Sequence, residues 1–291
     1  MIRLVIPKGS LEEQTLALLR DAGLPVRRSG DREYNARIDD DRISQVAILR
    51  PQEIGKYVEE GLFDMGITGL DWIEETGADV LMLAEFPYAK TGVGSSLRIV
   101  LAVLRESGVK RPEDLPPGTR VATEYPNIAQ RYFEGLGLDV KVIQSAGATE
   151  AKVPNIVDAI IEITETGTTL KQHGLEIIDD VMFTSTRLVA NRESCADPAR
   201  MKLMDEVKTL LLSAFEARGK VLLKLNVGGE QRDAVLAMLP AMRSPTVSPL
   251  ADGGFAVETV VLESAVAGLI PRLKDSGATG ILEIPLGKVV P

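Results

Sequence analysis

Cysteine and histidine are almost missing from this 291-residue chain, which has one of each, Cys195 and His173. A single thiol cannot close an internal disulfide, and Cys195 lacks the Cys and His neighbours of a zinc site, so it reads as a packed or edge thiol. Aromatic residues make up only 4% of the chain, and no uninterrupted apolar run approaches the roughly 20 residues of a bilayer-spanning helix. The apolar start, Met1 to Ile6, is too short for the core of a secretion signal and runs directly into a strand pattern. A cytoplasmic protein without a membrane partner is therefore expected. Basic charge is scarce as well: the formal net charge is -9, and no Lys/Arg run appears, which disfavours a nucleic-acid partner. Anionic ligands would have to be held by local cations. Two familiar nucleotide motifs are missing too. There is no Gly-x-x-x-x-Gly-Lys loop, and Gly92-x-Gly94-x-x-Leu97 lacks the third glycine of a dinucleotide fingerprint.

What is present is a folding composition, with 45% apolar and 26% charged residues. The length exceeds a single core of roughly 100 to 200 residues, so two or three domains are expected. Ile2 to Ile6 reads as a buried strand, Pro7-Lys8-Gly9-Ser10 as a loop, and Leu11 to Ala22 as an amphipathic helix. The unit repeats: Ser44 to Leu49 is a strand, Pro51 opens a helix, and Asp64 to Thr68 is another strand. Such alternation predicts a parallel-rich α/β sheet. After Val80 to Phe86, the Gly/Ser-rich segment Tyr88 to Ser96 reads as a hinge, and Arg98 to Leu104 resumes as an apolar strand. Strands near Arg120 to Thr123 and Asp139 to Ile143 follow. Helices are expected near Asn127 to Leu136 and Asn155 to Thr164, the latter from Ile156, Ile160 and Ile163 at helical spacing. Asp197-Pro198 opens a long helix whose Met201, Met204, Leu211 and Phe215 stripe reads as core. The last stretch reads βαββαβ: Val221 to Val227, Glu230 to Leu239, Arg243 to Val247, Phe255 to Leu262, Ser264 to Asp275 and Thr279 to Ile284. That order is the ferredoxin-like arrangement.

The richest chemistry lies between Asp158 and Leu170, where the apolar pattern breaks at Thr166-Gly167-Thr168-Thr169. Gly167 lets the backbone approach an anion, and threonine hydroxyls with the free amides of a following helix start can surround a phosphate. The same residues fit a helix stop followed by a new cap, and pattern alone leaves both open. His173 follows in a polar Lys-Gln-His-Gly turn and reads as the end of a short helix rather than a catalytic base.

This stretch resembles the phosphoribosyl-pyrophosphate signature of the ATP phosphoribosyltransferase family, which opens histidine biosynthesis. Pro7-Lys8-Gly9-Ser10-Leu11, Arg50-Pro51-Gln52-Glu53-Ile54, Asp64-Met65-Gly66-Ile67-Thr68-Gly69-Leu70-Asp71 and Ala122-Thr123-Glu124-Tyr125-Pro126-Asn127 also resemble blocks of that family, in its order. Two departures are Glu150-Ala-Lys-Val-Pro-Asn155, with Asn155 where a glycine is usual, and the turn Gly92 to Leu97, which lacks the commoner cysteine.

The resemblance implies a two-lobed, periplasmic-binding-protein-like catalytic core with a C-terminal ferredoxin-like (ACT-like) regulatory domain. Lobe I would comprise residues 1–95 plus 180–215, lobe II residues 96–179, and the regulatory domain residues 220–291. It further implies condensation of ATP, through adenine N1, with phosphoribosyl pyrophosphate, Mg²⁺ as cofactor, histidine as feedback inhibitor, and a homo-oligomer, hexamer or dimer. Phosphoribosyl pyrophosphate would meet Glu165, Thr166, Gly167, Thr168, Thr169 and Leu170, with Asp158 or Glu162 facing the ribose. Lys8, Gly9, Arg50 and Arg98 would face polyphosphate, and Asp64, Gly66, Thr68, Gly69 and Asp71 the adenine nucleotide side. Ser244, Thr246 and Ser248 are the candidates for inhibitor contact. No residue is assigned as acid or base, and the metal ligands are left open. Gly167→Val is expected to abolish binding while leaving the thermal transition nearly intact. A non-catalytic two-lobed solute-binding or amino-acid-sensing protein is the alternative, which turnover would distinguish.

Overall fold

The computed structural model describes residues 1–30, 33–89, 92–93, 97–240 and 244–290. The expected hinge at Tyr88 to Ser96, the turn Gly92 to Leu97 and the start of the Arg243 strand therefore lie partly outside the described residues. The chain forms two compact units, residues 1–20 with 24–208, and residues 21–23 with 209–291.

In chain order the first unit contains β1 (Ile2–Pro7), α1 (Glu12–Asp21), β2 (Val26–Arg27), β3 (Asn35–Ile38), β4 (Ile43–Leu49) and α2 (Pro51–Glu59). It continues through β5 (Met65–Gly69), α3 (Leu70–Thr76), β6 (Leu81–Phe86), the short hairpin β7 (Tyr88–Ala89) and β8 (Gly92–Val93), and β9 (Leu97–Leu104). Then come β10 (Thr119–Thr123), α4 (Pro126–Leu136), β11 (Val140–Gln144), β12 (Ala159–Thr164), α5 (Thr168–Gln172), β13 (Leu175–Thr184), β14 (Thr186–Ala190), α6 (Arg192–Ala196) and α7 (Pro198–Ala217), whose end belongs to the second unit.

Two sheets organise this unit. The first has the order β2-β3-β4-β1-β5-β14-β6, with β1 parallel to both β4 and β5; the second has the order β11-β10-β12-β9-β13, with β10 parallel to both β11 and β12. The chain leaves the first sheet after β6 and returns between β13 and β14, with Ser185 alone between them. β1 is apolar at almost every position because both its faces are buried, as in parallel sheets covered by helices.

The helix expected over Asn155 to Thr164 is corrected: residues 159–164 form β12, antiparallel to β9 and parallel to β10. Ile160 packs with Val100, Ala102 and Leu170, whereas Ala159 and Ile161 pack on the opposite face with Ile99, Leu101 and Phe133. A strand buried on both faces gives an unbroken apolar run, and such a run also satisfies helical spacing. Ile156, counted toward the helical stripe, is 57% exposed.

The second unit holds β15 (Lys220–Val227), α8 (Arg232–Met238), β16 (Thr246–Pro249), β17 (Phe255–Leu262), α9 (Glu263–Asp275) and β18 (Thr279–Pro285). Its antiparallel sheet has the order β16-β17-β15-β18, the ferredoxin-like order expected for βαββαβ. Leu223, Leu225, Val257, Val266, Leu269 and Leu273 form its core beside the helices.

Candidate functional site

In open α/β sheets the carboxyl ends of parallel strands are where loops can meet a ligand. Here the loops after β1, β4 and β5 and those after β10 and β12 line one cavity of about 600 Å³. Lys8 and Gly9 enter it from the loop after β1, Arg50 from the turn between β4 and α2, Gln52 from the first turn of α2, Gly69 from the end of β5 and Asp71 from the first turn of α3. Glu124 and Tyr125 come from the end of β10, and Ile163, Thr164 and Glu165 from the end of β12.

The first-sheet side concentrates positive potential. Lys8 Nζ sits 4.3 Å from the Tyr34 ring centroid, a cation–π contact that orients its ammonium. Arg50 occupies the cap position of α2 without a side-chain cap bond, and Pro51 starts the helix. That open helix N-terminus borders the cavity beside two cations, a favourable place for an anion. Gly9, at φ +90, donates its N–H to Glu12 Oε2 at 3.2 Å, a reciprocal closure at the start of α1.

Asp71 is 4% exposed and fully engaged. Its backbone N–H donates to Thr184 Oγ1 at 3.0 Å, the Thr184 hydroxyl donates back to Oδ1 at 2.8 Å, and the Tyr125 hydroxyl donates to Oδ2 at 3.0 Å. Burial pushes the Asp71 carboxyl above its usual range, with these bonds opposing it, and burial beside Asp71 pushes Tyr125 well up. A Cβ at Gly69 would stand 2.1 Å from Asp71 Oδ1, so only glycine leaves room for the carboxylate. The Trp72 and Tyr125 rings lie 4.6 Å apart. Glu75 extends the tie, accepting from the backbone N–H groups of Asn127 and Ile128, each at 2.9 Å, at the start of α4.

The threonine loop is organised from within. Gly167 adopts φ +72, a conformation suited to glycine, and its N–H donates to Thr164 Oγ1 at 2.9 Å. The Thr166 and Thr168 hydroxyls are 2.8 Å apart, and Thr168 donates its backbone N–H to Thr166 Oγ1 at 3.3 Å. Thr169 is exposed, while Leu170 is 2% exposed and anchors the loop in the core. Glu162 accepts from the Ile163 N–H at 3.0 Å. Burial, then the charges of Glu124 and Glu150, push its carboxyl up against the Thr149 hydroxyl.

Of the expected phosphate loop only Glu165 lines the cavity; Glu162 and residues 166–170 lie outside its lining, and other candidates are not gathered here either. Asp158 lies at the opposite end of β12, accepting Arg120 Nη2 at 2.8 Å and the Arg120 backbone N–H at 2.9 Å. Asp64 precedes β5 at the end away from the cavity. Gly66 packs in the core, where a Cβ would come within 2.8 Å of Ile54 Cγ2, and the buried Thr68 donates to the Pro51 carbonyl at 2.9 Å. Arg98 Nη1 pairs with Asp180 at 2.6 Å. In the second unit Ser244, Thr246 and Ser248 are exposed, the last two on the edge strand β16. His173 ends α5 at the surface.

Sequence reading missed Tyr34, Gln52, Trp72, Glu124 and Tyr125 as cavity walls. Four of the five stand inside or next to the quoted blocks, which was the available signal. A second cavity of about 340 Å³ shares Arg50, Gln52, Trp72 and Glu124 with the first. Among the described residues no group of three His, Cys, Asp or Glu side chains is placed to hold a metal ion, and no helix is long and apolar enough to cross a membrane.

Two family models match the chain: ATP phosphoribosyltransferase over residues 50–212, and its C-terminal domain over residues 217–288. The chain is 47% identical over 291 residues to an ATP phosphoribosyltransferase of Nitratidesulfovibrio vulgaris, covering 99% of this chain and 98% of that one. It is 46% identical over 290 residues to that of Koribacter versatilis, covering 99% of each. Among solved structures it resembles the ATP phosphoribosyl transferase complex of Thermotoga maritima, with TM-score 0.61 and 28% identity over 72% of this chain and 98% of that one.

Proposed function

The chain belongs to the ATP phosphoribosyltransferase family, and on that premise we propose that it condenses ATP with phosphoribosyl pyrophosphate, giving phosphoribosyl-ATP and pyrophosphate, the first step of histidine biosynthesis. The observation that carries this reading is the cavity itself. It sets Lys8, Arg50 and an open helix start on one wall and the end of β12, which feeds the threonine loop, on the other.

Adenine N1 has a lone pair and needs no base to release it. As the N1–C1 bond forms, the bond from C1 to the pyrophosphate oxygen breaks, positive charge grows on the ribose and negative charge on the leaving group. Fixed cations and oriented amides aimed at that charge lower the barrier most, and alignment of two bound substrates supplies the rest. In this reading Lys8, Gly9 and Arg50 face polyphosphate, residues 165–170 hold the 5'-phosphate, Glu162 borders the ribose, and Arg98, paired with Asp180 outside the cavity lining, would reach polyphosphate only by leaving that pair. Asp71, tied to Tyr125 and Thr184, fixes the floor on the nucleotide side next to Gly69. Asp158, Asp64, Gly66 and Thr68 act by holding the framework.

The donor set fits a hard cation carried mainly by substrate oxygens rather than an all-protein cage. Glu162 and Glu124, whose mutual repulsion helps push Glu162 up, would meet it. We take the ion to be Mg²⁺, which when bound neutralises the departing pyrophosphate. The same proposal includes lobes of 1–95 plus 180–215 and 96–179, a regulatory domain of 220–291, inhibition by histidine near Ser244, Thr246 and Ser248, a homo-oligomer of hexameric type, and a cytoplasmic location where both substrates are made.

Purified protein mixed with ATP, phosphoribosyl pyrophosphate and Mg²⁺ should yield the joined nucleotide and pyrophosphate, separated by chromatography. No product would overturn the reading. Added histidine should slow the reaction, and an unchanged rate would remove the regulatory part.

A further inference from the structure

Gln52, one residue into α2, lines both the 600 Å³ cavity and its 340 Å³ neighbour. Its Oε1 is buried and has no hydrogen-bond partner. A buried acceptor without a donor is costly, so its position at a cavity wall points to a ligand that brings one. A phosphate oxygen at neutral pH cannot serve, because it too is an acceptor. In the two substrates the available donors are ribose hydroxyls and the 6-amino group of adenine. Trp72 shares both cavity walls with Gln52, and its ring lies 4.6 Å from that of Tyr125. Flat aromatic surface beside the orphaned acceptor suits a base rather than a sugar.

We propose that Gln52 is a specificity-determining residue that reads the 6-amino/N7 edge of adenine, its Oε1 accepting from the amino group and its Nε2 donating to N7. This is the edge on which an amide side chain meets adenine with two matched bonds. It is also the edge compatible with the chemistry. A donor placed on N1 would occupy the lone pair that must attack C1, whereas a grip on the amino group and N7 leaves N1 uncovered. The inference rests on ATP being the nucleotide substrate.

The test compares Kd, read by titrating the fluorescence of Trp72, the chain's single tryptophan, for ATP, for purine riboside triphosphate, which lacks the amino group, and for 7-deaza-ATP, which lacks N7. Binding is the readout because loss of the amino group also weakens N1 as a nucleophile and would lower turnover by itself. Wild-type protein should prefer ATP over each analogue by roughly tenfold or more. In Gln52→Met, similar in volume, both preferences should collapse to within about twofold. Gln52→Glu, which keeps an acceptor but loses the donor, should retain the amino preference and lose that for N7. Preferences unchanged in Gln52→Met would overturn the proposal, and so would a loss confined to discrimination against 2'-deoxy-ATP, which would mark a ribose contact. Absence of ATP turnover and binding in the wild type would instead sink the transferase reading on which it stands.

Discussion

Asp64 and Asp71 flank the two ends of β5, both nearly sealed from solvent at 1% and 4% exposure, yet they titrate in opposite directions. Asp64 is desolvated by burial, but it accepts from Arg3 at 2.7, 3.1 and 3.1 Å and from Ser194 at 2.7 Å, and these bonds hold its carboxyl below the usual range; Arg200 Nη1 is a further partner at 3.1 Å. Asp71 has only hydroxyl groups and backbone as partners, and burial wins. The comparison shows that burial alone does not mark a functional carboxylate. A carboxyl matched by guanidinium groups is framework held ionised, and one held only by hydroxyls at a cavity wall takes up a proton more readily.

The sharpest way to break this contrast is to remove each partner set. Asp64→Ala strips a buried charge from Arg3 and Arg200 and should cost on the order of 3 kcal/mol, read as a lower urea midpoint. Nucleotide binding by the protein that remains folded should not change. A loss of binding without loss of stability would make Asp64 a site residue after all. Next in size is Gly167→Val. A β-branched side chain at φ +72, with its Cβ 3.1 Å from Ile177 Cδ1, should cost about 2 kcal/mol as well as phosphoribosyl pyrophosphate binding. The nearly intact thermal transition expected from sequence is thereby corrected. Gly167→Ala, strained by about 1 kcal/mol, is the gentler probe of the loop; unchanged affinity there would show that the sugar phosphate binds elsewhere.

Sequence alone put Asp64 and Asp71 into one candidate site because they lie in one recognisable block. Only the fold separates them, since the five residues of β5 span about 17 Å. Elements bounded by clear turn residues were legible, among them β1, β4, α4 and most of the βαββαβ module, whose second strand is Thr246–Pro249 rather than Arg243 to Val247. β12 was not, because burial on both faces erases alternation. Lys8, Gly9, Arg50 and Glu165 could be read from their loops, but the Trp72–Tyr125 pair and the Glu75 tie to α4 join segments some 50 residues apart and leave no local pattern. The orphaned oxygen of Gln52 is likewise visible only once neighbours are placed.

Smaller effects sharpen the Asp71 side. Tyr125→Phe deletes one donor to a buried carboxylate and should lower stability by about 1 kcal/mol, with Trp72 emission shifting because its ring partner has changed. An unshifted midpoint would mean that Tyr125 holds Asp71 only weakly.

The subtlest prediction concerns pH, where the two aspartates should pull in opposite senses. Asp64, lowered in the folded chain, contributes stability that is present above its ordinary value of 3.8 and is lost as pH falls through the lower folded value. Asp71, raised on folding, contributes stability that is complete below 3.8 and is lost as pH rises through the higher folded value. Urea midpoints measured in pH steps for wild type, Asp64→Asn and Asp71→Asn isolate the two terms. The advantage of wild type over Asp64→Asn should shrink on acidification below 3.8. Its standing relative to Asp71→Asn should instead improve as pH falls from neutral toward that value. Difference curves that slope the same way would abolish the distinction between framework and cavity carboxylates, because both groups would then be ionised and matched alike.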